Sequence, residues 1–423
     1  MRCNSFMSDS LGVRVGARAV KLARRWSNRR DIRVAARLTS IEHAQRLAHR
    51  RIPDPVQSYV EGGAGAETTL EANLAAVRSV GFIPRVGVAT GAAPRLRTTV
   101  LDHEVAMPLV LGPVGFTRMM HSEGDVAGDA AAGAAGTVFS HSSMSRHTMD
   151  DVAAVAAAPL WFQLYFLGGR EGAEQLVEQA REHAYAAVVV TMDTQVPGDR
   201  RRESRFGLSP PLRLDRATIT KMAPFVLPRP WWLFDQALGR FQLDLSLAPV
   251  QRADGSTRSV SDSLLEWLAS PPLWSDLAWI AEAFEGPVVA KGILSADDAR
   301  RAVDHGARAV IVSKHGGRQL DGVPATFRAL PSIVRAVGDD ADVLVDGGIR
   351  CGADVVRAVC LGARAAMVGR AWAYGLCAAG RPGVDRILSL FREDIDRTMR
   401  LVGADSVAEL DPSVLVSSSV WPG

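Results

Sequence analysis

Short apolar runs recur along the chain, with helix-forming stretches between them. The runs are Pro108–Gly112, Thr137–Ser140, Leu160–Tyr165, Ala187–Met192, Pro287–Ala290, Ala309–Ser313, Val343–Val345 and Ala366–Gly369. None shows polar alternation, which is the pattern of parallel strands buried on both faces. Successive centres lie about 22 to 33 residues apart, the length of one strand–helix unit. A gap of about 100 residues between the fourth and fifth runs is the exception. Eight such units with one interruption predict an α/β fold of the (β/α)8 TIM-barrel type, with a long insertion after strand 4. A doubly wound sheet is the competing arrangement. It would want a glycine-rich phosphate turn after its first strand, and Gly112-Pro-Val-Gly115 does not supply G-x-G-x-x-G.

The helices carry start and stop signals. Ser295-Ala-Asp-Asp298 reads as a capping box, and Gly306 as the stop. Gly352 to Gly362 repeats that plan. The stretch Val152–Gly169 has no charge but contains Pro159 and Gln163, so it reads as a helix end and a short strand rather than a membrane span. No apolar stretch comes after the first basic residues, so no secretory signal is expected.

Charge divides the chain. Residues 1–51 hold 13 Lys/Arg against 3 Asp/Glu, whereas the remainder holds 36 against 43. The expected organisation is a basic N-terminal extension over 1–40 and a barrel over 41–423, with an insertion or lid at about 206–272. The segment Val13–Arg37 is partly amphipathic and reads as a flexible arm, with peripheral contact to anionic lipid as the alternative. Trp231-Trp232 in the insertion reads as packing on the barrel, with a membrane or partner contact as the alternative. The near-balanced charge of the whole chain gives no reason to expect nucleic-acid binding. The cysteines Cys3, Cys351, Cys360 and Cys377 have no metal-ligand or disulfide spacing, so no metal is expected and a reducing cytoplasm is the expected setting.

In a barrel of this kind, functional groups sit at the C-terminal strand ends. The polar and glycine residues at the ends of the first four runs are Gly112–Gly115, Ser142-Ser143, Gln163 with Tyr165, and Thr191 with Asp193 and Arg200. Lys291, His315 with Arg318, Asp346–Arg350 and Gly369-Arg370 complete the set. Gly347-Gly348, Arg350, Gly369 and Arg370 after strands 7 and 8 suit a phosphate, because glycines let backbone N–H groups approach its oxygens. Lys291 suits a cation beside a cofactor atom that becomes anionic. His315, with two glycines and Arg318 after it, suits a general base beside an anion clamp. Asp193 suits the acid that orients such a base.

Ser313-Lys-His-Gly-Gly-Arg-Gln-Leu-Asp321 and Asp346-Gly-Gly-Ile-Arg350 resemble the signature of the FMN-dependent 2-hydroxy acid oxidoreductases. That family includes glycolate oxidase, lactate oxidase, lactate monooxygenase, mandelate dehydrogenase and the respiratory L-lactate dehydrogenase. The resemblance runs from about Ile52 to Leu415 and takes in Tyr59-Val-Glu-Gly-Gly63, Phe162-Gln-Leu-Tyr165 and Thr191-Met-Asp-Thr194. It implies FMN as cofactor and an L-2-hydroxy acid as substrate, oxidised to the 2-oxo acid. His315 would be the base and Asp193 its partner. Arg200 and Arg318, helped by Tyr59, would clamp the carboxylate, and Tyr165 would bond the substrate oxygen. Gly115, Ser142, Gln163, Thr191, Lys291 and Ser313 would line the flavin ring. Asp346, Gly348, Arg350, Gly369 and Arg370 would hold the ribityl chain and phosphate.

The resemblance also implies a homo-oligomer, a tetramer in this family. A quinone, a cytochrome or a carrier protein is the expected electron acceptor, and the expected location is cytoplasmic, with membrane association on that face left open. Five positions depart from the family pattern. Lys314 stands where Asn is usual, and a second cation there would lower the pKa of His315 unless it points away. Met144 and His141 predict a different substrate pocket, and Val114 replaces a frequent Thr. Gly115 stands where oxidases commonly carry Ala, which favours a dehydrogenase. An O₂-using oxidase or monooxygenase remains the alternative, as does a flavoenzyme of the same fold that modifies a peptide-derived biosynthetic intermediate. The His-Gly-Gly-Arg motif argues against a barrel isomerase.

Overall fold

The computed structural model describes residues 17–88, 91, 93–206, 216–239, 263, 266–267 and 269–417. Eight parallel strands close into a barrel: Leu109–Leu111, Val138–Ser142, Leu160–Leu164, Ala187–Thr191, Val288–Ile293, Ala307–Val312, Asp342–Val345 and Ala365–Val368. The last pairs with the first, Ala366 beside Leu109, so no edge remains. The (β/α)8 barrel is therefore the fold, and each apolar run of the sequence supplies one strand.

Burial on both faces explains why those runs lack alternation. Val110, Trp161, Val189, Val289, Ile311, Leu344 and Met367 fill the barrel interior. Their strand neighbours, among them Leu109, Phe162, Val190, Val310 and Val345, pack outward against the helices. The interior cluster also takes in Val100, Leu101 and Val105 of a hairpin, Thr98–Val100 with His103–Val105. The N–H of Leu101 donates to Asp342, the first residue of the seventh strand, so this hairpin closes the N-terminal end. The opposite end is left for the site.

The charge-free stretch resolves into a helix end, Met149–Ala153, and the strand Leu160–Leu164. Among the described residues no helix is long and apolar enough to cross a membrane. The basic segment departs from the expectation of a flexible arm over its described part. Ala17–Ala35 forms a helix packed on the long helical segment Arg370–Val402. Burial of Asp31 ties it down: its carboxylate accepts from Nη1 of Arg51 at 2.6 Å, and the His121 imidazole lies 3.5 Å away. Residues 1–16, the start of that extension, lie outside the described residues.

Most of the expected 206–272 insertion also lies outside them, but two of its helices are described, Arg216–Val226 and Pro230–Leu238. The adjacent tryptophans of the second helix part ways. Trp232 is buried and donates its indole N–H to the Met119 carbonyl at 2.7 Å. Trp231 is 40% exposed and lies 5.1 Å, ring to ring, from Trp26 of the N-terminal helix.

Candidate active site

The turn after the sixth strand throws His315 into the open end of the barrel. His315, Gly316 and Gly317 have φ of 57°, 64° and 82°, three consecutive left-handed residues. Such a run needs glycine at most positions and is strained at the one that is not. Ser313 holds the turn closed. Its hydroxyl donates to Asp346 at 2.7 Å and accepts from the His315 N–H at 3.2 Å and from Lys291 at 2.8 Å.

The His315 ring stands between two partners. Nδ1 is 3.2 Å from Oδ1 of Asp193, and Nε2 is 3.0 Å from the Tyr165 hydroxyl. A carboxylate can only accept, so Nδ1 carries the proton and Nε2 presents its lone pair. Burial lowers the pKa of His315, against the opposing pull of Asp193; Lys291 and Arg200 add to the lowering. The neutral imidazole is thus the resting form. Burial works against ionisation of Asp193, but the nearby imidazole and Lys291 keep its carboxyl below the ordinary range.

Lys314, the expected second cation, is turned away. Its ammonium donates to the carbonyls of Pro324 at 2.8 Å and Val323 at 3.4 Å. Burial lowers its pKa to about 8. His141 needs a correction too. It is fully buried, bonded through Nδ1 to the Tyr185 hydroxyl at 2.8 Å, and sits behind the strand rather than in the pocket. Met144 and Val114 do line the pocket.

A cavity of about 330 Å³ opens in front of His315. Tyr59, Gly115, Ser142, Gln163, Tyr165, Thr191, Arg200, Lys291, Arg318, Asp346, Gly348, Arg350, Gly369 and Arg370 line it together with the base. Asp193 and Ser313 stand one layer behind, bonded to lining residues. The residues expected to serve catalysis or to hold the cofactor therefore lie in this cavity or directly behind it.

The cations of this cavity are not equivalent. Arg318 spends Nη1 on the carbonyls of Tyr59 and Gly62, at 2.7 and 2.9 Å, and Nη2 on Glu203 at 2.8 Å. Arg370 donates to the carbonyls of Val60, Gly62 and Gly316. The Tyr59–Gly63 motif thus works through its backbone, as a cradle for two guanidinium groups. Among the described residues the Arg200 guanidinium makes one hydrogen bond, to Gln319 at 3.3 Å, and its buried Nε has no acceptor. Arg200 is therefore left with donors to spare. Glu203 was not legible as a site residue because its partner lies 115 positions away.

Two further features suit a planar cofactor with a phosphate. Ser142, Gln163 and Thr191 form a bonded row on neighbouring strands, with successive contacts of 3.0 Å. Gly347 and Gly348 have φ of 91° and 83°, and a Cβ on Gly348 would meet the Asn73 carbonyl at 2.6 Å, so only glycine permits this turn. Beside it the buried Oδ1 of Asp346 has no donor among the described residues, while Oδ2 lies 3.2 Å from Lys291. These residues fit FMN. Lys291, Ser142, Gln163 and Thr191 would hold its ring, and Asp346, Arg350 and the glycine turn its polar chain.

Trp267 is among the lining residues that the sequence did not reveal. Trp267, from the far end of the insertion, lies 4.8 Å from the Tyr165 ring and walls the cavity. Only its place in the fold reveals it. Among the described residues no group of His, Cys, Asp and Glu is arranged to hold a metal ion.

Comparison with known proteins agrees with this geometry. The family model described as FMN-dependent dehydrogenase matches residues 48–417. Pre-mycofactocin synthase of Mycobacterium tuberculosis is 40% identical over 374 residues, covering 88% of this chain and 92% of that protein. L-lactate dehydrogenase of Caulobacter sp. (strain K31) is 36% identical over 386 residues, covering 90% of this chain and 99% of that protein. The crystal structure of (S)-mandelate dehydrogenase, described as a monotopic membrane protein, superposes with a TM-score of 0.82 at 33% identity. That match covers 90% of this chain and all of the other.

Proposed function

Because the chain belongs to the FMN-dependent dehydrogenase family, an oxidoreductase family that uses FMN, we propose that it oxidises an L-2-hydroxy acid to the 2-oxo acid. The observation that carries the reading is the pair of groups at the barrel mouth: a neutral imidazole backed by a carboxylate, and the under-satisfied Arg200. The substrate carboxylate bonds to Arg200, and to Arg318 through its remaining N–H groups. That contact fixes the rest of the molecule relative to the base, which is an orientation effect. The Tyr165 hydroxyl, 3.0 Å from Nε2, orients the substrate oxygen. Nε2 of His315 then takes the hydroxyl proton, and Asp193 stabilises the imidazolium that forms. Bound FMN supplies the two-electron acceptor that this oxidation requires.

The electrons leave to a quinone, a cytochrome or a carrier protein rather than to O₂. Gly115 supports that choice through the family resemblance. The exposed Arg25, Arg29 and Arg33 of the N-terminal helix, beside Trp26, support contact with an anionic membrane surface where such acceptors reside. A second reading rests on Glu203. It partly neutralises the Arg318 half of the clamp, and the similarity to pre-mycofactocin synthase fits a biosynthetic intermediate as substrate. Turnover under argon with a soluble quinone, followed by mass analysis, tests the choice. Accumulation of the 2-oxo acid supports the first reading. Inertness toward 2-hydroxy acids would leave the second.

A further inference from the structure

Trp267 enters the site from the insertion, not from a barrel strand. Its ring lies 4.8 Å from Tyr165, tilted by 40°, and Tyr165 in turn stacks on His315 at 6.3 Å and 19°. The three rings make one continuous wall. The indole Nε1 of Trp267 is shut off from water and has no acceptor among the described residues. Buried tryptophan N–H groups ordinarily find one. Trp232, in the described part of the same insertion, shows the usual state, with its N–H on the Met119 carbonyl. The Nε of Arg200 is the other orphaned donor on the wall of the same cavity. In the reading above, the substrate carboxylate satisfies Arg200. Nothing in that reading satisfies Trp267. The cavity is also lined by Val114, Phe116 and Met144, which accept apolar, planar groups.

We propose that Trp267 selects the substrate side chain, and that the preferred substrate carries a hydrogen-bond acceptor on a bulky, planar side chain. The inference rests on the proposed function and extends it from a reaction to a class of side chain. A small aliphatic side chain leaves the indole N–H buried and unmet. A ring bearing a hydroxyl or carbonyl fills the apolar wall and meets it. Discrimination arises because the site itself is left unpaired when the wrong ligand binds.

The test uses the FMN-loaded protein and ligands that cannot be oxidised, read by the shift they cause in the flavin visible spectrum. Phenylacetate is compared with its three monohydroxy isomers, and the corresponding phenylacetamides form a parallel series without the carboxylate. One hydroxylated acid is expected to bind about tenfold more tightly than phenylacetate itself. Trp267→Phe keeps a ring and removes the N–H. It is expected to erase that preference, read as the ratio of the hydroxylated acid's affinity to that of phenylacetate in the same variant, with flavin content retained. Trp267→Ala is expected to weaken the whole acid series. A preference that survives Trp267→Phe, or no preference in either series, overturns the proposal. A Trp267-dependent preference among the amides, with acids that do not bind, keeps the proposal and removes the carboxylate reading instead.

Discussion

Glu203 accepts a hydrogen bond from Nη2 of Arg318 at 2.8 Å, and the two side chains are only 8% and 12% exposed. The two arginines of the proposed carboxylate clamp are therefore expected to respond differently to removal. Losing Arg318 strands a buried carboxylate, which typically costs about 3–5 kcal/mol. Arg318→Met is expected to lower the melting temperature sharply, and Arg318→Met with Glu203→Leu to recover much of it. Thermal unfolding of the three proteins checks this.

Arg200 has no such carboxylate partner among the described residues. Arg200→Met is expected to fold normally, keep FMN and bind the substrate about 10- to 150-fold more weakly, the worth of one hydrogen bond to a charged group. Lys at this position is not expected to restore affinity, because it lacks the planar fork. A melting temperature far below wild type would contradict this division of roles.

In the proposed reaction the pH dependence is set by His315. Its ordinary pKa is 6.5, and burial moves it down. The neutral base therefore persists below that value, and flavin reduction is expected to fall off only on the acid side of it. Asp193 opposes the lowering, so Asp193→Asn is expected to move the acid limb further down while slowing the reaction. His315→Gln is expected to abolish the limb and slow reduction about 10²- to 10⁴-fold. Stopped-flow reduction between about pH 5 and 9, the range around the histidine pKa, reads all three.

Gly115 touches both the acceptor question and the pocket. A Cβ there would lie 2.9 Å from Cβ of Met144 and 3.1 Å from the Tyr59 hydroxyl. Wild-type protein is expected to reoxidise slowly in air. Gly115→Ala alone changes two neighbours as well as the space it fills, so Gly115→Ala with Met144→Ala is the cleaner comparison. If both variants react with O₂ at the wild-type rate, Gly115 does not set the acceptor.

The docked N-terminal helix makes its own expectation. Asp31 is buried beside Arg51, so Asp31→Ala leaves that guanidinium without its carboxylate. Limited trypsin digestion is expected to cut at Arg24, Arg25 or Arg29 much faster in the variant than in wild type. Equal rates would mean that the ion pair does not hold the helix.

Much of the site was legible because barrel chemistry sits where strands end. Each apolar run located a strand, and the next polar residues located the cavity wall. Pattern alone could not show how far the long side chains reach. Lys314 is next to the base in sequence, yet its ammonium bonds two carbonyls on the far side of the turn. His141 is on a strand end, yet the alternation of strand side chains aims it outward at Tyr185. Glu203 and Trp267 reach the site across long stretches of chain, which no local pattern records. The helix Ala17–Ala35 looked free because its positive charge dominates, while its single acid, Asp31, makes the buried contact.

Anaerobic mixing of the FMN-loaded protein with a panel of L-2-hydroxy acids tests the central claim most directly. With at least one acid, the flavin band is expected to bleach fully, with one 2-oxo acid formed per flavin, and to bleach about 10²- to 10⁴-fold more slowly in His315→Gln. An oxidised flavin that no 2-hydroxy acid reduces at saturating concentration, or that His315→Gln reduces at the wild-type rate, would contradict it.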